Sequence, residues 1–243
     1  MSTDSYVSLA GSYDRLTEDV NYQAFADYYE NVFKGSREEI KSVLDLCCGT
    51  GTLTAIMAER GYETIGVDSS VDMLIEARGK AAEIEEAPLF ICQEAQELDL
   101  YGTVDAAYSS LDSINYIPPE NLDEVFRRLA LFIRPGGLLI FDIRRDDWLH
   151  GMDGAVSVDE DSDVYCVWRA DFDEEEGALV YGMDLFTRKG RMWQREQEEH
   201  TEYAYSEEDI KALLKKHSFE KIKCEEDVPV IGNGRLFFTA FRK

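Results

Sequence analysis

The sequence predicts an α/β protein: a seven-stranded, mostly parallel, doubly wound sheet of Rossmann-like type carrying an antiparallel β insertion. Three observations lead there. Apolar runs that read as strands alternate with helix-periodic stretches from Ser42 to Ile143, which implies a parallel sheet covered on both faces. Three β-rich runs without intervening helices then occupy Val164 to Tyr205. A last helix and two further strands close the chain.

Each element has its own signal. Tyr22, Phe25, Ala26, Tyr29 and Phe33 recur every three or four residues and predict a helix whose aromatic stripe turns toward the core. Ser42-Val43-Leu44-Asp45-Leu46 reads as a buried strand. Cys47-Cys48-Gly49-Thr50-Gly51 follows as a tight turn, and a helix runs from Thr52 to about Arg60. Gly61 stops that helix, Glu63 to Val67 forms a second strand ending at Asp68, and Ser69 with Asp72 makes a capping box for a helix from Val71 to about Glu86. Leu89-Phe90-Ile91-Cys92 is a short third strand followed by Gln93-Glu94-Ala95, and Val104 to Ser109 is the fourth. After a mixed polar and apolar loop, Ser110 to Ile117, helix periodicity resumes from Glu120 through Phe132. It stops at Arg134-Pro135-Gly136-Gly137, and Leu138 to Ile143 is a fifth strand.

From Val164 the runs to Phe172, Ala178 to Arg188 and Met192 to Tyr205 predict a three-stranded antiparallel insertion. Its alternation places Tyr165, Val167, Tyr181, Met183 and Trp193 on one bulky face, either a lid over a ligand crevice or a homodimer surface. Ser206 with Asp209 caps a final helix with Ile210, Leu213 and Leu214 on one side. Two strands follow, near Lys221 to Glu225 and Arg235 to Phe241, with Gly232-Asn233-Gly234 as a tight turn between them. The chain divides accordingly into residues 1–143 with 206–243 as one domain and 144–205 as an inserted subdomain.

Composition narrows the partners. With 50 acidic against 25 basic residues the formal charge is −25, so a phosphate backbone is repelled and nucleic acid is disfavoured. No apolar run approaches the ~18 residues of a membrane span, and the first residues lack the pattern of a signal peptide. Five scattered cysteines and three histidines offer neither a disulfide framework nor a metal centre, so the chain reads as cytoplasmic and metal-free.

The chemistry concentrates at the predicted carboxyl ends of the strands, where open α/β sheets bind ligands. Glycine at 49 and 51 can take positive φ and admit a ligand to the backbone, and the following helix offers unpaired N–H groups. The dinucleotide pattern G-x-G-x-x-G is incomplete, because Thr54 stands at its third glycine. Asp68, 17 positions beyond Gly51, stands where an acid accepts ribose hydroxyls.

Taken together, Val43-Leu44-Asp45-Leu46-Cys47-Cys48-Gly49-Thr50-Gly51, Phe90 to Ala95, Asp112-Ser113-Ile114-Asn115-Tyr116, Arg134-Pro135-Gly136-Gly137-Leu138-Leu139-Ile140-Phe141-Asp142 and Tyr13-Asp14-Arg15-Leu16 resemble motifs of class I S-adenosylmethionine-dependent methyltransferases, particularly small-molecule members. The resemblance implies S-adenosylmethionine as cofactor and a small-molecule acceptor. It implies that Gly49 and Gly51 approach the methionine moiety and that Asp45 sits near its ammonium. Asp68 would take the ribose hydroxyls, with Met73 beside the adenine and Glu94 and Ala95 at its edge. Ser109 and Ser110 would line the methionine end, and Tyr13 would lie near the sulfonium. Glu94 departs from the aspartate common at that position in the family. Asp112, Tyr116 and His150 are the candidates for acceptor contact or proton removal, against loop capping, packing and a surface position respectively. A nicotinamide-dependent oxidoreductase and a non-catalytic partner-binding protein on the same fold are the alternatives.

Overall fold

The computed structural model describes residues 17, 20–160, 163–226, 228 and 232–243. Helix α1 (Tyr22–Phe33) precedes β1 (Ser42–Leu46), α2 (Thr52–Glu59), β2 (Glu63–Asp68), α3 (Val71–Lys80), β3 (Leu89–Cys92) and β4 (Val104–Ser109). Then come α4 (Pro119–Phe132), β5 (Ile133–Arg144), a short α5 (Asp146–Gly151), β6 (Val156–Glu160), β7 (Val164–Asp173), β8 (Ala178–Lys189), β9 (Met192–Tyr203), α6 (Glu207–Lys216), β10 (Phe219–Glu226) and β11 (Arg235–Arg242). The main sheet has seven strands in the order β10-β11-β5-β4-β1-β2-β3, with β1 to β5 parallel and β11 antiparallel to both of its neighbours. Strand order reverses beside β1, so a crevice opens between the carboxyl ends of β1 and β4.

Alternate residues of the central strands feed cores on opposite faces. Leu139, Phe141 and Ile143 of β5 meet Leu122, Val125, Phe126 and Leu129 of α4, whereas Leu138 and Ile140 pack with Phe25, Tyr29 and Phe33 of α1 and Met57 of α2. Burial on both faces is why these strands read as continuous apolar runs. Phe141 stacks on Phe238 with centroids 5.0 Å apart, tying β5 to β11.

Several boundaries differ from the sequence reading. Ser70, not Ser69, caps α3, its hydroxyl accepting the N–H of Met73, and α3 ends at Lys80, short of the expected Glu86, with Ala81 as its C-cap. The Pro135-Gly136-Gly137 segment does not precede β5 but lies within it, as an irregularity in pairing between Val104 and Ala106 of β4. The last two strands do form an antiparallel pair, but residues 227–234 connect them, since Glu226 already pairs with Leu236. Helix α5 has six residues, too few to show periodicity.

The insertion has four strands, not three, in the order β6-β7-β8-β9. Strand β6 escapes notice because all five of its residues are exposed. Nor do the bulky residues form one face. Val164 pairs with Thr187 and Trp168 with Met183, so even-numbered residues of β7 share a face with odd-numbered residues of β8. Tyr181 and Met183 therefore lie with Val164, Cys166 and Trp168, while Tyr165 and Val167 lie on the opposite face.

Candidate functional site

The turn after β1 is shaped by two glycines with different duties. Gly49 has φ +54° and nothing stands within 4 Å of where a Cβ would project, so it leaves open space at the cavity wall. Gly51 caps α2 with φ +67°, and a Cβ there would meet the Ala77 Cβ at 2.7 Å, so its bareness lets α3 pack against the turn. Asp68 fastens this turn to β2. Its Oδ2 accepts the N–H of Gly49 at 2.8 Å and its Oδ1 that of Ser70 at 2.9 Å, leaving lone pairs on both oxygens for further donors. Burial pushes the Asp68 pKa up, against the pull of those N–H groups.

Asp45 lies behind the wall. It is 3% exposed, accepts the Thr54 hydroxyl at 2.6 Å, and burial raises its pKa to about 7. Thr54, at the third position of the dinucleotide pattern, is thus a buried partner of an acid, not an approach point for a pyrophosphate. Ser110 bonds Tyr29 of α1 at 2.7 Å, and the Ser109 Oγ is buried without a hydrogen-bond partner.

One cavity of about 1130 Å³ runs from this turn to the underside of the insertion. That exceeds the ~300–1,000 Å³ usual for a single small ligand. Gly49, Asp68, Met73, Glu94, Ala95, Asp112 and Tyr116 all line it. Asp45, Gly51, Ser109 and Ser110 do not, and Tyr13 falls outside the described residues. His150 is corrected most clearly: its side chain is 42% exposed on α5, stacks on Phe172 at 3.8 Å and bonds Asp146 of its own helix, away from the cavity. A six-residue surface helix at that point directs the ring outward, the surface position weighed against a catalytic role in the sequence.

The middle of the cavity is held by an ion network. Leu111 and Asp112 both take φ 56°, a left-handed conformation costly for residues with side chains. Fully buried Asp142 on β5 stabilises it by accepting both N–H groups, at 2.9 and 3.0 Å. Arg235 of β11 bonds Asp142 and reaches Asp112 at 3.1 Å, and Arg144 Nε donates to Asp112 Oδ2 at 2.6 Å. Burial works to raise the Asp112 pKa, yet Arg235 and Arg144 together hold it below the usual carboxylate range. Asp112 is therefore a charged anchor of this loop. The Arg144 guanidinium also lies 4.2 Å over the Trp148 ring.

The far wall is the inner face of the insertion. Register places Ser157, Asp159, Trp168, Ala170, Tyr181, His200 and Glu202 on that face, and each lines the cavity. Tyr116 donates its hydroxyl to Glu202 Oε1 at 3.1 Å, bridging the loop after β4 to β9. Glu202 is 4% exposed and its Oε2 is buried without a partner. Burial, then the nearby Asp112 charge, pushes the Glu202 pKa up to about 8, against Arg144, Tyr116 and Arg235. Glu202 was missed in the sequence, although Glu196-Glu198-His200-Glu202 at every second position of a strand was a signal of polar groups turned inward.

The residues present suit an adenosyl amino acid. Gly49 leaves room at the backbone, Asp68 has spare acceptor capacity for a ribose diol, and Met73, Ala95 and Val67 give an apolar seat for a base. Among the described residues no group of three or more His, Cys, Asp or Glu could hold a metal ion.

Comparisons agree with this arrangement. Residues 43–137 match the family described as a methyltransferase domain. YqeM of Bacillus subtilis (strain 168), a candidate methyltransferase, is 28% identical over 242 residues, covering 97% of this chain and 96% of that protein. A crystal structure of an S-adenosylmethionine-dependent methyltransferase from Clostridium acetobutylicum is 28% identical with a TM-score of 0.86, covering 98% of each chain. CalS10, an amino pentose methyltransferase from Micromonospora echinaspora solved with S-adenosylmethionine bound, shares the fold at a TM-score of 0.78 and 18% identity, over 96% of each chain.

Proposed function

Given that the chain is a class I S-adenosylmethionine-dependent methyltransferase, we propose that it methylates a small molecule held between the loop after β4 and the inner face of the four-stranded sheet. The observation that carries this is the single continuous cavity, large enough for the cofactor and a second small molecule and walled on its far side by Trp168, Tyr181 and Glu202.

S-adenosylmethionine supplies the electrophilic methyl group and a good leaving group, so this chain's residues need chiefly to orient, exclude water and manage a proton. In this reading Asp68 accepts the ribose hydroxyls, Met73, Glu94 and Ala95 seat the adenine, and Gly49 admits the methionine moiety. Gly51, Asp45, Ser109 and Ser110 act from behind the wall, by shaping the turn and its electrostatics. Asp112 positions the acceptor loop through Arg144 and Arg235, and Tyr116 contacts the acceptor. Residues 1–143 with 206–243 bind the cofactor and residues 144–205 cover the acceptor.

The high negative charge supports an acceptor that is not a nucleic acid. Five free thiols and the charge support a cytoplasmic location, and no helix among the described residues is long and apolar enough to cross a membrane. The exposed end of the insertion at Met192 and Trp193 is the surface we assign to a homodimer contact, which sedimentation of the purified protein tests. Isothermal titration with S-adenosylhomocysteine tests the cofactor site. Asp68→Ala is expected to weaken binding roughly 10- to 100-fold, the value of hydrogen bonds to a charged group, while His150→Ala leaves it unchanged.

A further inference from the structure

The charges around the acceptor end of the cavity do not balance, and the imbalance has a sign. Every arginine lining the cavity has a carboxylate partner: Arg144 and Arg235 bond Asp112, Arg235 also bonds Asp142, and Arg169 bonds Asp184. The acceptor-end carboxylates are differently placed. Glu202 accepts only the Tyr116 hydroxyl, and its Oε2 is buried and unpartnered. Asp159, among the described residues, accepts the indole N–H of Trp168, at 2.7 Å. Among the described residues neither forms an ion pair: the arginines that act on Glu202, Arg144 and Arg235, are themselves bonded to Asp112. Glu202 is buried, where a carboxylate without its own counter-ion is costly, while Asp159 is exposed on β6. Aromatic rings of Trp168 and Tyr181 stand on the same face, and ring faces attract cations.

We propose that the methyl acceptor is an amine that enters as its ammonium ion, and that Glu202 takes the proton the nitrogen must lose before it can attack. The inference deepens the methyl-transfer reading and rests on it. The step balances as follows. The ammonium gives one proton to the Glu202 carboxylate, which becomes a neutral carboxylic acid. The freed nitrogen lone pair forms the N–C bond while the methyl's bond to sulfur breaks, its electron pair leaving on the sulfur as a neutral thioether. The product is the methylated ammonium, and the proton on Glu202 passes to solvent after release.

The chemistry of the pair favours an amine over a hydroxyl. An alkylammonium has a pKa of ~10, about two units above the Glu202 carboxyl at about 8, whereas a hydroxyl resembles water at ~16 and would need far more help than a carboxylate gives. The groups facing Glu202 reinforce the poise. Asp112 from the loop after β4 favours its protonation, Arg144 of β5 and Arg235 of β11 favour its ionisation, and Tyr116, Tyr181 of β8 and His200 of β9 complete the surround. An anionic acceptor would meet two unneutralised carboxylates.

The test uses the full chain loaded with S-adenosylhomocysteine and titrated at pH 8 with two matched pairs, benzylamine against benzyl alcohol and glucosamine against glucose. The expected result is an amine preference of at least about tenfold in one pair, falling to about twofold or less in Glu202→Gln with S-adenosylhomocysteine affinity unchanged. No amine preference in either pair, or a preference undiminished in the variant, overturns the proposal. If the variant loses S-adenosylhomocysteine, the wild-type profile decides. A preference for benzylamine over benzyl alcohol that grows from pH 6 to pH 9 supports reception of the ammonium by an ionised Glu202, and a flat one contradicts it. Failure of the wild-type chain to bind S-adenosylhomocysteine would instead strike the cofactor reading.

Discussion

Asp142 shows how a single residue fixes the site without touching its ligand. Its carboxylate holds two consecutive residues, Leu111 and Asp112, in left-handed backbone and is itself held by Arg235. Removing its charge leaves Arg235 with one carboxylate in place of two and weakens both N–H contacts. Asp142→Asn is expected to destabilise the fold by about 3–5 kcal/mol, the cost of breaking a buried ion pair, measurable by urea unfolding. A loss under 1 kcal/mol would show that the strained turn is held by something else. Asp142 and Arg235 were invisible as a pair in the sequence, since 93 residues separate them and only the β5–β11 pairing brings them together.

At the scale of elements, the turn and helix pair around Gly51 carries the cofactor half. Gly51→Ala both forces a side chain into φ +67° and drives a Cβ to 2.7 Å from Ala77, so α3 must shift. The variant is expected to lose about 1–3 kcal/mol of stability and to bind S-adenosylhomocysteine more weakly, since α3 carries Met73. Unchanged stability with unchanged binding would remove the packing argument. This half was legible because its signals are contiguous: strand, glycine turn and capped helix follow one another within residues 42–73. The acceptor half was not. Whether Glu202, Tyr181 and Trp168 meet over the crevice depends on strand register, and register between β7, β8 and β9 has no local mark in a run of alternating acids and aromatics. Strand β6, exposed throughout, carried no burial pattern to read.

For the whole molecule, buried acids set an unusual pH dependence. The folded pKa of Asp45, about 7, lies above its unfolded value of 3.8, so its contribution to stability is fully present below about pH 4 and is lost as pH rises through 7. Asp105 acts oppositely. Burial works against it, but Arg134 and the N–H groups of Ser42 and Lys41 pull its pKa down to about 2, so its contribution is present above about pH 4 and lost as pH falls toward 2. Self-repulsion from a formal charge of −25 adds to the loss at higher pH. The cofactor-free protein is therefore expected to have its highest Tm in mildly acidic solution, between about pH 4 and 6, with a decline toward pH 8. A Tm that climbs steadily from pH 5 to 8 would contradict this.

The most direct measurement of the central claim is parallel isothermal titration of the wild-type protein and Asp68→Ala with S-adenosylmethionine, S-adenosylhomocysteine and NADH. The predicted result is saturable one-site binding of the two adenosyl ligands to the wild type, roughly 10- to 100-fold weaker binding to the variant, and no uptake of NADH. Equal affinity of wild type and variant, or binding of NADH alone, would contradict the assignment of this cavity as the cofactor site.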